Sequence, residues 1–402
     1  MDNVKLYDLD AYETAFDAVV QDVSYEKSSK YAFIVLDRTL FFPEEGGQSC
    51  DKGEIEGFAV EDVQIKDGII THKIKVDDQS GFENSIKAGK KVSGSIDFEH
   101  RFSNMQNHSG EHILSGLIAS EYGYRNTGFH LSDSTVYLQF GGILKTDQLK
   151  KLELKANEAV WKNLKISAVY PEPEELVNMY YRSKSEIDGP VRIVTIEGID
   201  VCACCAPHVR RTGEIGIIKI LDSERMGDEM RLTILCGKRA LSEIDRRQDD
   251  MGEVVRLTSK QPGDTASGVS RILQENAELK EKLGILSRRY IAAVNDRYAS
   301  AGDNVLVFEN IEDVQYRREL VNLLCLSHKG MNGVFCGNDR DGYDFIIGAG
   351  AGKDDSGESI EIDARDCCQI LKDAFGARGG GSGKMVQGSV KASKRDILAL
   401  LS

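Results

Sequence analysis

The sequence predicts a multidomain α+β protein, because its hydrophobic pattern changes character several times along the chain. The first hundred residues alternate short apolar stretches with turns rich in Gly and Asp, which is typical of closely spaced strands. Strand-like and helical stretches alternate up to residue 237, two long helical patterns follow, and the last hundred residues mix both periodicities. At 402 residues the chain has room for roughly two to four domains.

The first two domains are predicted to cover residues 1–98 and 99–237. Strand-like runs at 32–36, 69–76 and 91–98 favour a small β-barrel, or a sandwich, in the first of them. The second domain is predicted to be mixed α+β. Its expected helices begin at 102 and 146, and its expected strands cover 134–140, 191–196, 215–221 and 230–235.

Residues 238–300 are predicted to form a helical hairpin. Its helices would cover 238–258 and 264–298, with a break at Pro262-Gly263. The second helix carries a heptad seam, with Asn276 as a polar register mark. Packing against the first helix and a homodimer interface explain this seam equally well, and the sequence leaves both open. The seam residues are Val269, Ile272, Asn276, Leu279, Leu283, Leu286, Tyr290 and Ala293.

Residues 301–402 are predicted to form a small α/β domain with a glycine-rich loop. Strand-like stretches at 305–308, 333–336 and 345–347 alternate with helical ones, and GARGGGSGKMVQGSV stands near the end of the chain. Such a loop either cradles a phosphate with its backbone N–H groups or is a plain turn between a helix and a strand.

Composition argues against a membrane-spanning protein and against a disulfide scaffold. No apolar run approaches the roughly 18 residues that a bilayer crossing requires. The first residues, MDNVKLYDLDAYETAF, lack the basic and apolar parts of a secretion signal, so we expect a cytoplasmic protein. Nine cysteines are too few for a disulfide scaffold of this length, and their cluster at 202–205 suggests metal binding or reactivity instead.

Two pairs of residues predict a zinc site. His108 and His112 stand four apart on a predicted helix, which places both imidazoles on one face. Cys204 and His208 repeat that spacing further along the chain. Three imidazoles and one thiolate suit tetrahedral zinc better than magnesium or calcium.

One rival interpretation uses the same helix. HSGEH also matches H-x-x-E-H, the inverted signature of zinc peptidases, in which Glu111 would be the general base. That reaction requires a third protein ligand elsewhere, usually acidic, and gives Cys204 and His208 no role.

Four motifs together resemble a known family, the freestanding alanyl-tRNA editing proteins. The motifs are FPEEGGQ from Phe42 to Gln48, HSGEH, CCAPHVRRTGEIG from Cys204 to Gly216, and GARGGGSGKMVQG. The chain is similar in the same way to the editing and C-terminal parts of alanyl-tRNA synthetase. The resemblance is to the long form, whose C-terminal domain is of the DHH-associated type, and the aminoacylation domain of the synthetase is not matched.

The resemblance implies a zinc-dependent deacylase that hydrolyses tRNA(Ala) mischarged with serine or glycine. It makes His108, His112, Cys204 and His208 the zinc ligands. It also implies Gln48 as a pocket residue near the aminoacyl ester and Thr39 as the hydroxyl that recognises serine. Apart from the resemblance, Glu111 is a candidate proton carrier. A pocket that hydrogen-bonds a hydroxyl rejects the analogue lacking it by roughly 10⁴-fold or more. Zinc would either expand its coordination to activate water or stay closed and orient the 3′-terminal adenosine.

The expected tRNA contacts fall in two places. Arg210 and Arg211 flank the zinc motif, and the glycine-rich segment supplies Arg378, Gly379, Gly380, Gly381 and Lys384. These local basic groups would offset a formal net charge of −14. A tRNA-binding or oligomerising module whose zinc is only structural remains a third interpretation.

The chain departs from the family pattern at two points. The family's usual PEGGGQ is PEEGGQ in this chain, with Glu45 in place of a glycine. The family's usual CGGTH is CCAPH, with Cys205 and Pro207 among the changed residues. The second change fixes φ and removes a backbone donor in the loop that carries two ligands.

Overall fold

The structure, a computed structural model, describes residues 3–25, 30–77, 79–183, 189–261, 263–350, 352–353, 359–360 and 362–401. The chain divides into two compact units, residues 1–252 and 253–402. Both units combine helices with sheets, so the predicted α+β class is confirmed. The predicted break residue Pro262 lies outside the described residues. In the part of the chain that is described, no helix is long and apolar enough to span a membrane.

The first unit opens with six strands that close into a barrel in the order β2-β3-β7-β6-β5-β8. Every neighbouring pair around the barrel is antiparallel. Alternating residues of β3 and β7 point inward, so Ile34 and Ile74 lie in the barrel core. The elements are β1 (Val4–Lys5), α1 (Leu6–Leu9), β2 (Ala15–Tyr25), β3 (Tyr31–Leu36), β4 (Arg38–Thr39), β5 (Gly53–Ile55), β6 (Phe58–Lys66), β7 (Ile69–Lys75), α2 (Gln79–Ser85) and β8 (Lys91–Ile96).

A long buried helix, α3, follows the barrel. The strands and helices that come after it in the first unit pack around it. Its first turn is capped by the Asp97 carboxylate, which accepts a hydrogen bond from the His100 N–H, and it ends at Gly123 in the left-handed conformation. The elements are α3 (Phe98–Tyr122), β9 (Asn126–Leu131), β10 (Val136–Phe140), α4 (Thr146–Trp161), β11 (Ile166–Val169), α5 (Pro173–Val177), β12 (Ile193–Ile196), β13 (Asp200–Ala203), a 3₁₀ turn (Thr212–Ile215), β14 (Ile218–Met226), β15 (Glu229–Cys236) and α6 (Gly237–Thr258).

Two antiparallel sheets, β14-β15-β10-β9 and β11-β12-β13, flank this helix. The segment after β13 packs against the barrel core through Ala206 and Cys205. It therefore lies between the barrel and α3. Helix α6 crosses the division between the two units, and the four-domain division of the sequence remains a prediction.

The second unit is a five-stranded sheet, β16-β17-β18-β22-β21, with helices packed against it. Its elements are α7 (Thr265–Arg297), β16 (Val305–Phe308), α8 (Val314–Ser327), β17 (Met331–Asn338), β18 (Gly342–Ala349), β19 (Gly352–Lys353), β20 (Ser359–Ile360), α9 (Ala364–Phe375), β21 (Arg378–Gly381), β22 (Met385–Val390) and α10 (Lys394–Leu401).

The prediction of a glycine-rich loop is wrong for most of this segment, which forms a β-hairpin instead. Residues 378–381 form the edge strand β21, paired with β22, and the turn between them is short. Gly379 pairs with Gly388, and a Cβ on Gly379 would come within 2.6 Å of the Gln387 carbonyl oxygen. These glycines let two strands approach closely, which a composition-based prediction of a loop overlooks.

Candidate metal centre

Three imidazoles and one thiolate converge in the first unit. His108, His112, Cys204 and His208 each offer a ligand atom, and these atoms lie within 4.8 Å of one another. The Cys204 Sγ is 3.5 Å from His108 Nε2 and 3.4 Å from His208 Nε2. The sequence therefore identified four residues that the fold brings together.

Two elements position these side chains. His108 and His112 lie one turn apart on α3, with ring centroids 5.3 Å apart, because residues i and i+4 share a helix face. Cys204 and His208 lie on the segment after β13. Arg192 holds this segment, since its Nη1 donates to the carbonyl oxygens of Cys204, at 3.0 Å, and Ala206, at 2.8 Å.

Each imidazole is oriented by a second group on its Nδ1. Because Nδ1 is engaged, Nε2 is the atom that each ring presents to the centre. The pairs are His108 Nδ1 with Gln48 Oε1 at 2.7 Å, His112 Nδ1 with Asp200 Oδ2 at 3.0 Å, and His208 Nδ1 with Ser109 Oγ at 2.9 Å.

A buried ion pair between Asp200 and Arg182 orients the His112 imidazole. Arg182 donates through Nε and Nη2 to the two oxygens of Asp200, each at 2.7 Å. The Arg182 and Asp200 side chains are 17% and 2% exposed. A carboxylate of this kind raises the basicity of a ligating histidine and fixes its ring, as outer partners do in metal sites.

Electrostatics favour the ligand form of the thiol. Burial opposes ionisation of Cys204, but the neighbouring His108 and His208 imidazoles hold its pKa well below the ordinary value. Burial lowers the pKa of His208 to about 3, which keeps that imidazole neutral. Burial also disfavours charge on His112, yet Glu111 and Asp200 raise its pKa well above the usual value. A metal ion that bound to His112 would therefore have to displace a proton.

The donor set fits a four-coordinate, borderline-soft metal ion. Two ligands that each lie 2.0–2.3 Å from one tetrahedral ion are separated by roughly 3.5 Å. The two distances from Cys204 Sγ to imidazole nitrogens, 3.4 and 3.5 Å, agree with this value. Four protein ligands at such spacing are typical of a closed centre.

Gln48 enters the centre from a tight turn of the first unit. Gly46 and Gly47 have φ of +62° and +86°, and a Cβ on Gly47 would lie 2.5 Å from the Phe129 carbonyl oxygen. Glu45, by contrast, is not among the described residues with positive φ, so it fits where the family pattern has a glycine. The Glu45 departure therefore leaves the turn intact.

The Gln48 side chain is fully buried and half satisfied. Its Oε1 accepts from His108, whereas its Nε2 has no hydrogen-bond partner. A buried amide donor left unpaired is costly in a native protein, so each case asks for an explanation. This donor belongs to an amide whose oxygen contacts His108, one of the four convergent side chains.

Glu111 lies at the edge of the centre. Its Oε1 accepts hydrogen bonds from Ser115 Oγ and Asn126 Nδ2, both at 2.7 Å. Its Oε2 is 3.7 Å from His112 Nε2, the atom that faces the ligands. The Glu111 carboxylate is thus held in one orientation, with its second oxygen beside the four convergent side chains.

Thr39 is buried in the first unit and is already hydrogen-bonded. Its Oγ lies 2.9 Å from His72 Nε2 and accepts from the Phe41 N–H at 3.0 Å. Burial lowers the pKa of His72 to about 4, so the ring is neutral, and its Nδ1 faces the Ile34 carbonyl oxygen at 3.3 Å. His72 Nε2 is therefore an acceptor, and the Thr39 hydroxyl donates to it.

The predicted tRNA-contacting residues fall in both units. Arg210 pairs with Asp10 at 3.0 Å and stacks over the Tyr12 ring, and Arg211 donates to the Asn163 carbonyl oxygen. A cavity of about 220 Å³ beside His208 is lined by Arg210 and Arg192 among others. In the second unit, Arg378, Gly379, Gly380, Gly381 and Lys384 are exposed on the β21–β22 hairpin.

Several residues around the centre have no clear signal in the sequence. Ser109 is the exception, because it lies within HSGEH and that motif could have indicated its position near the ligands. Asp200, Arg182 and Arg192 carry no local pattern, and His72 is a single histidine within a strand. Their roles depend on tertiary contacts that spacing does not encode.

Two segments of the chain, the barrel region and the ligand segment, match models of domains that are associated with aminoacyl-tRNA synthetases. Residues 6–100 match the family model of class II (A) tRNA synthetases. Residues 191–232, which include Cys204 and His208, match the model of the second additional domain of threonyl- and alanyl-tRNA synthetases.

Similarity to individual proteins extends over most of the chain. The chain is 27% identical to the alanyl-tRNA editing protein AlaX-L of Pyrococcus horikoshii, over 98% of this chain and 96% of that protein. It is 30% identical to the alanine–tRNA ligases of Methanococcus vannielii and Halobacterium salinarum, over 91% and 85% of this chain. It spans only 40% and 38% of those two ligases. The resemblance predicted from the four motifs is therefore confirmed.

Proposed function

We propose that this chain is a trans-editing hydrolase that deacylates tRNA(Ala) mischarged with serine and, as a second substrate, with glycine. The observation that carries the proposal is the Gln48 amide, a buried donor that is unpaired and fixed through His108 beside four convergent metal ligands. Ester hydrolysis needs such a fixed donor, aimed at the oxygen where negative charge develops. The full-length similarity to an alanyl-tRNA editing protein supports the same reaction.

Zinc is the proposed metal, held by His108, His112, Cys204 and His208. A bound zinc ion would supply a positive charge that orients the 3′-terminal adenosine or polarises the ester. Gln48 Nε2 donates to the ester oxygen, and Glu111 carries the proton between water and the leaving hydroxyl. Ser115 and Asn126 fix Glu111 Oε1, so Oε2 is the atom that exchanges the proton.

A zinc peptidase of the H-x-x-E-H type finds less support. Its metal requires an open position for water, with Glu111 as general base. Cys204 and His208 instead complete four protein ligands. A module with purely structural zinc would leave the unpaired Gln48 donor without a use. Peptide hydrolysis, or tRNA binding without deacylation, would favour these alternatives.

The proposed partner is the mischarged tRNA(Ala). The cavity beside His208 is the proposed place of its acceptor end. Arg192 and Arg210 line this cavity together with their ion-pair partners, Asp8 and Asp10. The exposed hairpin with Arg378 and Lys384 offers a second basic contact. Gly379, Gly380 and Gly381 form its exposed edge strand, which would face the backbone phosphate. The net charge of −14 belongs to the whole chain, so the proposed contacts depend on these local basic groups.

Replacing Gln48 with glutamate is expected to separate zinc binding from hydrolysis. Glutamate keeps an acceptor for the His108 Nδ1–H but removes the Nε2 donor. We expect the zinc content to stay at one per chain, and kcat for release of serine to fall by about 10²–10³-fold, as for loss of one oxyanion donor.

The matched control for this substitution is Gln21→Glu on β2, where the glutamine side chain is exposed. It should leave both zinc content and kcat unchanged. Hydrolysis at the native rate by Gln48→Glu would remove Gln48 from the reaction. Loss of zinc from this variant would show instead that Gln48 acts through His108.

Thr39→Val is expected to change the preference between serine and glycine. Thr39 donates to His72 and accepts from Phe41, which leaves its oxygen one lone pair for the hydroxyl of a seryl group. We expect serine release to fall at least about tenfold relative to glycine release. The readout is the ratio of the two kcat/KM values, which is insensitive to a loss of folded protein. An unchanged ratio would refute Thr39 as the discriminator.

A further inference from the structure

Two cations stand directly opposite each other beside the metal centre. Lys165 and Arg211 are partners in a short antiparallel pairing, which joins the segment after α4 to the segment after His208. The two backbone hydrogen bonds of this pairing, each 2.9 Å long, lie on either side of the two residues rather than between them. This is the closer type of antiparallel position, in which the Cα atoms are roughly 4.5 Å apart and the side chains are neighbours.

No acidic side chain neutralises this pair of cations. Both side chains are exposed, and across the described residues neither forms an ion pair, although Glu197 lies on the neighbouring strand. Arg210 differs, because it is paired with Asp10 at 3.0 Å. Like charges directly opposite each other on a sheet are destabilising. In a chain with 65 acidic residues, an unneutralised pair of this kind indicates an anionic ligand.

An exposed tryptophan and a third lysine border the pair. Trp161 ends α4 and is 66% exposed. Lys162 follows it, is also exposed, and has no ion pair in the part of the chain that is described. Fully buried Thr212 fixes the backbone here, since its Oγ1 accepts from the Leu164 N–H at 2.8 Å and donates to the Ala159 carbonyl oxygen at 2.7 Å. The basic strip is defined by its four exposed side chains, Trp161, Lys162, Lys165 and Arg211.

We propose that the basic strip binds the acceptor arm of the tRNA, with Lys165 and Arg211 on backbone phosphates and Trp161 stacked on an unpaired base near the 3′ end. This inference rests on the proposed function, which brings the 3′ end to the metal centre. Arg211 is three residues after His208, so the strip begins within about 10 Å of that ligand. Phosphates supply the negative charge that the two cations lack, and a base supplies a flat partner for the exposed indole. An acidic protein would match the cations but offers no base for Trp161.

Uncharged tRNA(Ala) is the probe, because it has no ester and separates binding from hydrolysis. The fluorescence of Trp161, the chain's single tryptophan, should be quenched saturably when this tRNA is titrated into the full chain. Lys165→Glu should raise Kd by at least roughly tenfold and lower the slope of log Kd against log salt by about one to two, because it removes one phosphate contact and engages Arg211. The variant replaces a repulsion with an attraction, so its Tm should equal or exceed the native one.

Two matched controls test the assignment. Lys66→Glu changes the net charge equally at an exposed position at the end of β6, and it should bind tRNA as the native chain does. Trp161→Ala, measured by filter binding, should raise Kd about 5- to 150-fold through loss of stacking on one base. Tyr180→Ala removes another aromatic side chain, 92% exposed, and should leave Kd unchanged.

Several results would overturn the proposal. They are tRNA binding without quenching of Trp161, native affinity in Lys165→Glu, and an equal loss of affinity in Lys66→Glu, which reflects net charge alone. Equal quenching by polyglutamate would assign the strip to an acidic protein instead. A native chain that binds tRNA through the strip but releases no serine from Ser-tRNA(Ala) would support this surface and refute the proposed hydrolysis.

Discussion

Cys204→Ala is expected to lower zinc affinity by more than about 100-fold, which exceeds the loss from removing an outer partner of a ligand. Cys204 is the one thiolate among the four convergent ligands, and its Sγ lies within 3.5 Å of two ligand nitrogens. Without it the centre keeps three imidazoles and loses its negative charge. Release of serine from the tRNA should fall to the uncatalysed rate, because the ester then lacks its oriented site.

The control for this substitution is the adjacent residue. Cys205 contacts Glu45, and its Sγ lies close to Gly46, on the side of the first-unit turn. Cys205→Ala should therefore keep one zinc per chain and most of the activity. Competition with a chromophoric chelator measures both affinities. If Cys205→Ala loses the metal and Cys204→Ala retains it, the ligand assignment is wrong.

Arg101→Met is expected to lower the free energy of unfolding of the first unit by about 3–5 kcal/mol. Both Arg101 and Asp51 are fully buried and form an ion pair. Arg101 also donates to the carbonyl oxygens of Leu40, at 2.6 Å, and Ala11, at 3.1 Å. The substitution leaves the Asp51 carboxylate as an uncompensated buried charge. It also loosens the link between α3 and the segment that carries Gln48.

Urea unfolding followed by the fluorescence of Trp161, the chain's single tryptophan, measures this effect within the first unit. The double variant Arg101→Met/Asp51→Leu should recover only part of the loss. It removes both charges, but it also removes the acceptor of the Phe42 N–H. Arg246→Met breaks an exposed ion pair on α6 and should leave the unfolding curve unchanged. An Arg101→Met protein as stable as the native one would show that the buried pair does not hold these elements together.

The strongly periodic parts of the fold could be predicted from the sequence. The helix expected from 146 and the strand at 305–308 agree closely with α4 and β16. The very short strand β5 and the edge strand β21 escaped prediction. Neither Gly53–Ile55 nor the Arg-Gly-Gly-Gly of β21 shows an alternation of apolar and polar residues, so only their neighbours define them as strands.

In the candidate site, too, some residues could be predicted from the sequence and others could not. The spacing of four residues predicted both ligand pairs, because it reflects a local geometry that the sequence encodes. The partners of those ligands come from distant segments, as Asp200 meets His112 and Arg182 meets Asp200. A charged residue that acts through burial and a tertiary contact has no signature in spacing. His72 likewise acquires its role only where β7 pairs with β3 and brings it against Thr39.

The most direct test of the central claim is the rate of serine release from Ser-tRNA(Ala) by the zinc-loaded chain, measured beside correctly charged Ala-tRNA(Ala) and the Cys204→Ala variant. We predict rapid release of serine, slow release of alanine, and no release by the variant. Equal rates with both tRNAs, or native rates from Cys204→Ala, would contradict an editing reaction that depends on this centre.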